Sequence, residues 1–226
     1  MRGLQLIILA LASLAAAAQP AQRRLEITVE QRTPSGWNRA DPSTVFDNGA
    51  RLRFRVKSNF PGFLYVMNQG TSGSYTQLFP TAETGSDNRL EPGRETVVPA
   101  TDGAFAVTGP AGYDIVYWMV TPVELSAGQK RPGYVPLPPP PPPGTRLDTL
   151  KPRCDDTIFR ARGECIDREA GPRKVESVEA LPPNLKSVPN LKARELVFIR
   201  ESSSAVVSSP AALDGPVIYE FRVAHK

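Results

Sequence analysis

Histidine is almost missing from this chain. His225 is the only one among 226 residues, and there are just two cysteines, Cys154 and Cys165. That supply falls short of the four nitrogen or sulfur ligands of a structural zinc site. His225 also stands beside the C-terminal residue, where chain ends fray, so it makes a poor general base for a nucleophilic triad. A strong excess of one charge is lacking too: 27 Lys and Arg face 23 Asp and Glu, spread along the sequence. The resulting pI near 9.2 permits weak attraction to anionic surfaces, not the concentrated basic patch of a nucleic-acid binder. Helical periodicity and internal repeats are absent. Gly109-Pro110-Ala111-Gly112 lacks the lysine and helix that follow a phosphate loop. Gly70-Thr71-Ser72-Gly73-Ser74 carries Ser74 where a nucleophile elbow needs its last glycine. No catalytic residue, cofactor or metal is expected on these grounds.

The one long apolar stretch lies at the start. Met1-Arg2 is a short positive segment, Leu4 to Leu14 is apolar, and Ala16 and Ala18 are the small residues of a cleavage site. The apolar part is too short to span a bilayer, so residues 1–18 read as a signal peptide cut after Ala18. No cysteine near the cut invites lipid attachment. The expected mature chain is secreted or periplasmic, without a transmembrane segment.

Beyond the cut the chain is strand-like. Leu25, Ile27 and Val29 alternate with Glu26, Thr28 and Glu30, and Trp37 comes next in a turn-rich stretch as a cap for one end of the core. Arg51–Lys57 alternates strictly, with Leu52, Phe54 and Val56 on one face and Arg51, Arg53, Arg55 and Lys57 on the other, the mark of a half-buried strand. A turn at Ser58–Gly62 then leads to the apolar Phe63–Met67, which predicts a hairpin of an outer and a more central strand. Tyr75–Phe79, Glu95–Val98 and Ala104–Val107 read as further short strands, and residues 81–94 as mostly loop. Residues 113–120 are apolar on both faces apart from Asp114, as in a central strand of a sandwich.

The ordered series Arg51–Asn59, Gly62–Asn68, Leu78-Phe79-Pro80, Asp87-Asn88-Arg89, Val98-Pro99 and Gly109-Pro110-Ala111-Gly112 resembles the bacterial family known as domain of unknown function 4384. The resemblance spans roughly Phe46 to Thr121. It implies an extracytoplasmic β-domain of the kind found beside other modules, and it carries no catalytic residues.

Composition changes at Gly128. Thirteen of the 24 prolines lie between Pro132 and Pro189, six of them unbroken from Pro138 to Pro143, which favours polyproline II and removes sheet donors. β patterns return at Glu195–Arg200 and Val217–Val223. Two strands cannot stand alone in water, so they are expected to return to the first sheet. The fold class is therefore all-β, an immunoglobulin-like antiparallel β-sandwich with a long proline-rich, mostly irregular insertion. The divisions are 1–18 signal peptide, 24–127 sandwich, 128–193 insertion with a disulfide loop, and 194–226 completing strands.

Cys154 and Cys165, as the only pair in an exported chain, are expected to form a disulfide worth on the order of 3 kcal/mol. Asp155, Asp156, Glu164 and Asp167 read as a solvated, arginine-balanced surface, with a calcium site as the alternative. Arg51, Arg53, Arg55 and Lys57, spaced about 6.5–7 Å apart along their strand, are the candidate binding face. The plainer reading is the wet face of an edge strand, where cations deter aggregation. Tyr113, Tyr117 and Met119 share a face and either stack on a ligand or join the core. The expected function is a non-catalytic binding or accessory module of the bacterial envelope, with a protein or glycan as partner. The alternatives are a secreted hydrolase using carboxylates such as Asp87 or Asp102, and a structural spacer built on the proline rod.

Overall fold

Period-two alternation sorts the side chains of this protein into two sheets that face each other. The computed structural model describes residues 23–125, 151–173, 175, 177–186, 197–201, 204–209 and 215–226. The expected signal peptide and the run Pro138–Pro143 lie outside the described residues. The first sheet runs in the order β12 (Val197–Glu201), β13 (Ser204–Ser209), β1 (Arg23–Thr33), β4 (Arg51–Ser58), β8 (Glu95–Val98). In it β2 (Gly36–Ala40) pairs with β1, and β9 (Phe105–Ala106) with β4. The second runs β11 (Gly171–Arg173), β14 (Val217–His225), β10 (Gly112–Thr121), β5 (Gly62–Gln69), β6 (Tyr75–Phe79). There β3 (Val45–Phe46) pairs with β14 and β7 (Arg89–Leu90) with β5. Among the described residues all pairings are antiparallel except β3 with β14. The all-β sandwich read from the alternation is the fold found.

The main core lies between the sheets. Leu25, Ile27 and Val29 with Leu52, Phe54 and Val56 come from one side, and Leu64, Val66, Val116, Trp118, Val120, Tyr219 and Phe221 from the other. Phe54 is the meeting point, its ring 5.1 Å from Trp118 and edge-on at 77°, and 6.1 Å from Phe221. Ile115, from the apolar run 113–120, is only partly buried and packs on the opposite face with Met67, Tyr117, Met119 and Ile218.

The expected hairpin of Arg51–Lys57 and Phe63–Met67 does not form, because β4 and β5 belong to different sheets. Both strands carry an apolar face, and opposing those faces across the core buries both at once. The corner is held by Ser58, whose Oγ donates to the Phe60 carbonyl at 2.7 Å and accepts from its N–H at 3.1 Å. Phe60 plugs the corner, fully buried. Gly62 is required there, since a Cβ would meet Val120 Cγ1 at 2.8 Å and the Thr121 carbonyl at 3.0 Å. β4 is also no outer strand: β1 flanks it on one side, and β8 and β9 on the other.

β14 pairs with β10 along Gly112–Val120, which makes β10 an inner strand between β14 and β5. Val217, Tyr219, Phe221 and Val223 face the main core, as their alternation indicates, while Ile218 and Ala224 are buried behind the sheet. His225 is not frayed. It pairs in register with Gly112 and Phe46 and is fully buried. The serine-rich β13 is not legible as a strand in the sequence, because its partner β1 lies far upstream.

Part of the expected insertion lies among the described residues, at 151–173, 175 and 177–186. A helix, α1 (Asp156–Arg162), starts at Asp155, whose Oδ1 accepts from the N–H groups of Thr157 at 2.9 Å and Ile158 at 3.4 Å. It ends at Gly163, in the left-handed region at φ 68°. Seven residues give barely two turns and no buried face, so the pattern carries no helical signal; the caps and the Cys154–Cys165 bridge hold it. A second short helix, α2 (Pro183–Lys186), and the stretch before it set Val175, Leu181 and Leu185 onto the back of the second sheet. No helix among the described residues is long and apolar enough to cross a membrane.

Phe54→Ala should cost about 3–5 kcal/mol in urea denaturation and Arg51→Ala less than about 0.5 kcal/mol. Comparable losses would mean that the register of β4 is wrong. Replacing both cysteines by serine should speed hydrogen exchange at the Phe159 and Gly163 amides while those of β4 and β10 stay protected. Loss of protection throughout would show that the bridge supports the whole sandwich.

Candidate functional site

The four cations of β4 do not form a uniform stripe. Register places Glu30 of β1 opposite Arg53, and both neighbouring guanidiniums turn to it. Arg53 Nε donates to Glu30 Oε2 at 2.6 Å and Arg55 Nε to Oε1 at 2.8 Å. Arg55 also donates through Nη1 to Glu95 on β8. The Glu30 side chain keeps only 7% of its exposure, against 20% for Arg53 and 29% for Arg55. Burial opposes its ionisation, yet the two guanidinium hydrogen bonds outweigh that and hold its carboxyl below the ordinary value. The bond to Glu30, then that to Glu95, raises Arg55 in turn. Arg53 and Arg55, read from the alternation as exposed, are thus half-buried and fixed. Arg51 and Lys57, at the ends of the strand, remain exposed with no ion pair among the described residues.

Trp37 belongs to the same face. In place of the core-capping loop position expected for it, it sits in β2 across from Arg32. The Arg53 guanidinium lies 4.3 Å from its ring centroid and that of Arg32 lies 5.5 Å away. The indole and Glu30 grip Arg53 through its plane and its Nε, leaving its terminal amino groups uncommitted among the described residues. A guanidinium held this way presents a fixed fork to a carboxylate.

Beside it opens a groove of about 670 Å3 lined by Arg53, Arg89 and Arg94 with Asp87, Glu95 and Asp102, and by Thr96 and Thr101. Asp87 and Asp102, the carboxylates considered for acid–base work, share this groove, both exposed. Its lining carries charge of both signs beside the apolar Val97, Pro99 and Ala100, and offers donors and acceptors to hydroxyl and carboxyl groups.

The remaining candidates are built into the scaffold. Cys154 and Cys165 are joined, with Cα atoms 4.7 Å apart. Asp155 caps α1 and pairs with Arg168 at 2.8 Å. Asp167 accepts from the Tyr113 hydroxyl at 2.6 Å and from backbone N–H groups of Arg153 and Glu169. Burial opposes its charge, but these donors hold its carboxyl below the ordinary range. Tyr117 and Met119 are buried in the layer behind the second sheet, and Tyr113 is half-buried. His225 Nε2 lies 3.4 Å from Asp114 Oδ1, the atom that also accepts the Thr71 N–H at 2.9 Å. Histidine, aspartate and threonine therefore meet, but behind a fully buried ring that ties the C-terminal strand to the Gly70–Ser74 turn. Gly112 lets that turn approach, since a Cβ there would meet Thr71 Cγ2 at 2.6 Å.

Glu30, Trp37 and Glu95 are not recognisable as site residues in the sequence. Glu30 is an outward position of an alternating strand, indistinguishable from a solvated one until β4 lies beside it. Its pairing with Arg53 spans 23 residues, beyond any local spacing rule.

Residues 45–124 match the family model described as Domain of unknown function (DUF4384), so the resemblance read from the motif series holds over that span. No curated protein matches the chain, and no solved structure does.

Glu30→Gln should cost about 1–3 kcal/mol at pH 7, since two half-buried guanidiniums lose their anion. Because the folded-state value lies below the ordinary 4.5, the carboxylate stabilises fully above that pH and its contribution fades as pH falls through the lowered value. The gap between parent and variant should therefore shrink in urea titrations from pH 7 to pH 3. A gap independent of pH would refute the charge assignment.

Proposed function

We propose that this protein is a non-catalytic, extracytoplasmic binding module that holds an acidic glycan at Arg53 and the groove beside it. The observation that carries the reading is the preorganised guanidinium: Arg53 is fixed by Glu30 and stacked with Trp37, and it forms part of the groove wall. Fixing a fork-shaped donor before the ligand arrives removes the side-chain ordering cost of binding. The surrounding aspartate, glutamate, arginine and threonine side chains supply paired donors and acceptors for hydroxyl groups. Arg51 and Lys57 extend positive charge along the strand and steer an anionic polymer toward it. The disulfide supports an oxidising compartment, as does the signal peptide expected in the sequence.

The test is calorimetric titration of the purified mature chain with an oligogalacturonide, a neutral maltooligosaccharide of equal length and a polyglutamate peptide. Saturable binding of the oligogalacturonide is expected, at least about tenfold tighter than the neutral sugar and weakened about tenfold by Arg53→Ala. Arg51→Ala with Lys57→Ala should flatten its salt dependence. Equal binding of parent and Arg53→Ala would overturn the site, and preference for polyglutamate would make the partner a protein. Chain shortening of the oligosaccharide, abolished by Asp87→Asn or Asp102→Asn, would establish the hydrolase instead.

A further inference from the structure

Arg53 is not the only guanidinium stacked on a ring. Four arginines lie over aromatic rings among the described residues, and three of them line two grooves. Arg53, over Trp37, belongs to the groove of the glycan reading. Arg89 lies 5.5 Å from the Phe63 ring centroid and Arg23 lies 5.7 Å from that of Phe60. Both line a second groove, of about 350 Å3. Strand register explains one placement, since Arg89 of β7 pairs with Phe63 of β5, and Arg23 is the first residue of β1. Pro61, Pro92 and Pro122 add walls whose backbone the proline rings stiffen.

The two grooves meet at Arg89, which lines both. A second link crosses the same divide: Glu91 of the second groove pairs with Arg94 of the first at 3.3 Å. Glu91 is the only carboxylate among the described lining residues of the second groove, and Arg94 already opposes its charge. Arg23 and Arg89 have no ion pair among the described residues, and the rest of that lining is apolar. A ring beneath a guanidinium holds it by its plane and leaves its N–H edge for a ligand. The second groove therefore offers two oriented cationic donors and almost no competing acceptor, which selects anionic groups. Resting on the glycan reading, we propose that the site continues past Arg89 into this second groove. Its ligand is then an extended acidic chain whose carboxylates engage Arg53, Arg89 and Arg23 in turn.

Calorimetric titration of the mature chain with digalacturonate and hexagalacturonate reads the extension as a dependence on chain length. The hexamer should bind at least about tenfold more tightly than the dimer, because its later carboxylates engage donors already beside them. Arg23→Ala should weaken the hexamer about fivefold or more and leave the dimer unchanged, whereas Arg53→Ala should weaken both. Arg160→Ala removes the same charge from an exposed position on α1 and should change neither. Three results would overturn the extension while the Arg53 site stands: equal affinity for the two lengths, a hexamer indifferent to Arg23→Ala, or equal loss of both lengths in that variant. Near-ultraviolet dichroism would check that the fold of each variant is intact. A matching loss from Arg160→Ala would reduce Arg23 to a share of the net charge and overturn it as well. Binding of neither length, or indifference of both to Arg53→Ala, is failure of the glycan reading itself, and the extension falls with it.

Discussion

Three distant stretches of chain meet at one aromatic contact. Phe54 of β4 packs edge-on against Trp118 of β10, and against Phe221 of β14 from the C-terminal end. Such pairs contribute about 0.5–1.5 kcal/mol each beyond the area they bury. Here they also decide which sheet faces which. The packing is strong enough to tolerate a cost: Trp118 Nε1 is buried with no hydrogen-bond partner among the described residues, a deficit of about 1–3 kcal/mol. The pairing of β14 with β10 completes that core. Without it, β10 would be an edge strand with apolar residues on both faces and a row of unpaired donors. Burying His225 and bonding it to Asp114 secures the last residues of β14.

The outer face of the first sheet rests on a second constraint, the burial of Glu30. A carboxylate so enclosed is stable as an anion only with donors at both oxygens, and Arg53 and Arg55 each provide one. What looks along β4 like four equivalent cations becomes two classes. The middle pair is bonded to Glu30 and oriented, and the terminal pair has no ion pair among the described residues. Orientation is what a recognition site needs, and freedom is what long-range steering needs. The back of the second sheet obeys different physics. There Val175, Leu181 and Leu185 shield apolar side chains of β10 and β14.

Residues 151–186 link these surfaces. The disulfide and the two caps of α1 hold a helix with no buried face of its own. Backbone bonds from Val45 to Cys165 and from Asp167 to Ser43, both 2.8 Å, tie that segment to the sandwich beside β3. The phenol of Tyr113 on β10 then reaches Asp167, so the bridge region and the central strand share a buried polar contact.

Much of the fold is legible from local pattern. Alternation assigns the inward faces of β1, β4 and β14, because side-chain direction in a strand depends only on position along it. The disulfide is implied by a single cysteine pair, and the motif series by order along the chain. Partners across the fold are not legible. That β4 and β5 face each other instead of forming a hairpin, that Glu30 converts Arg53 and Arg55 from solvated cations into oriented donors, and that Met67, Tyr117 and Met119 are buried behind the second sheet all depend on which strands lie side by side. Those adjacencies are set by burying apolar faces against one another over separations of tens to more than a hundred residues, and no spacing rule within a strand or helix contains them.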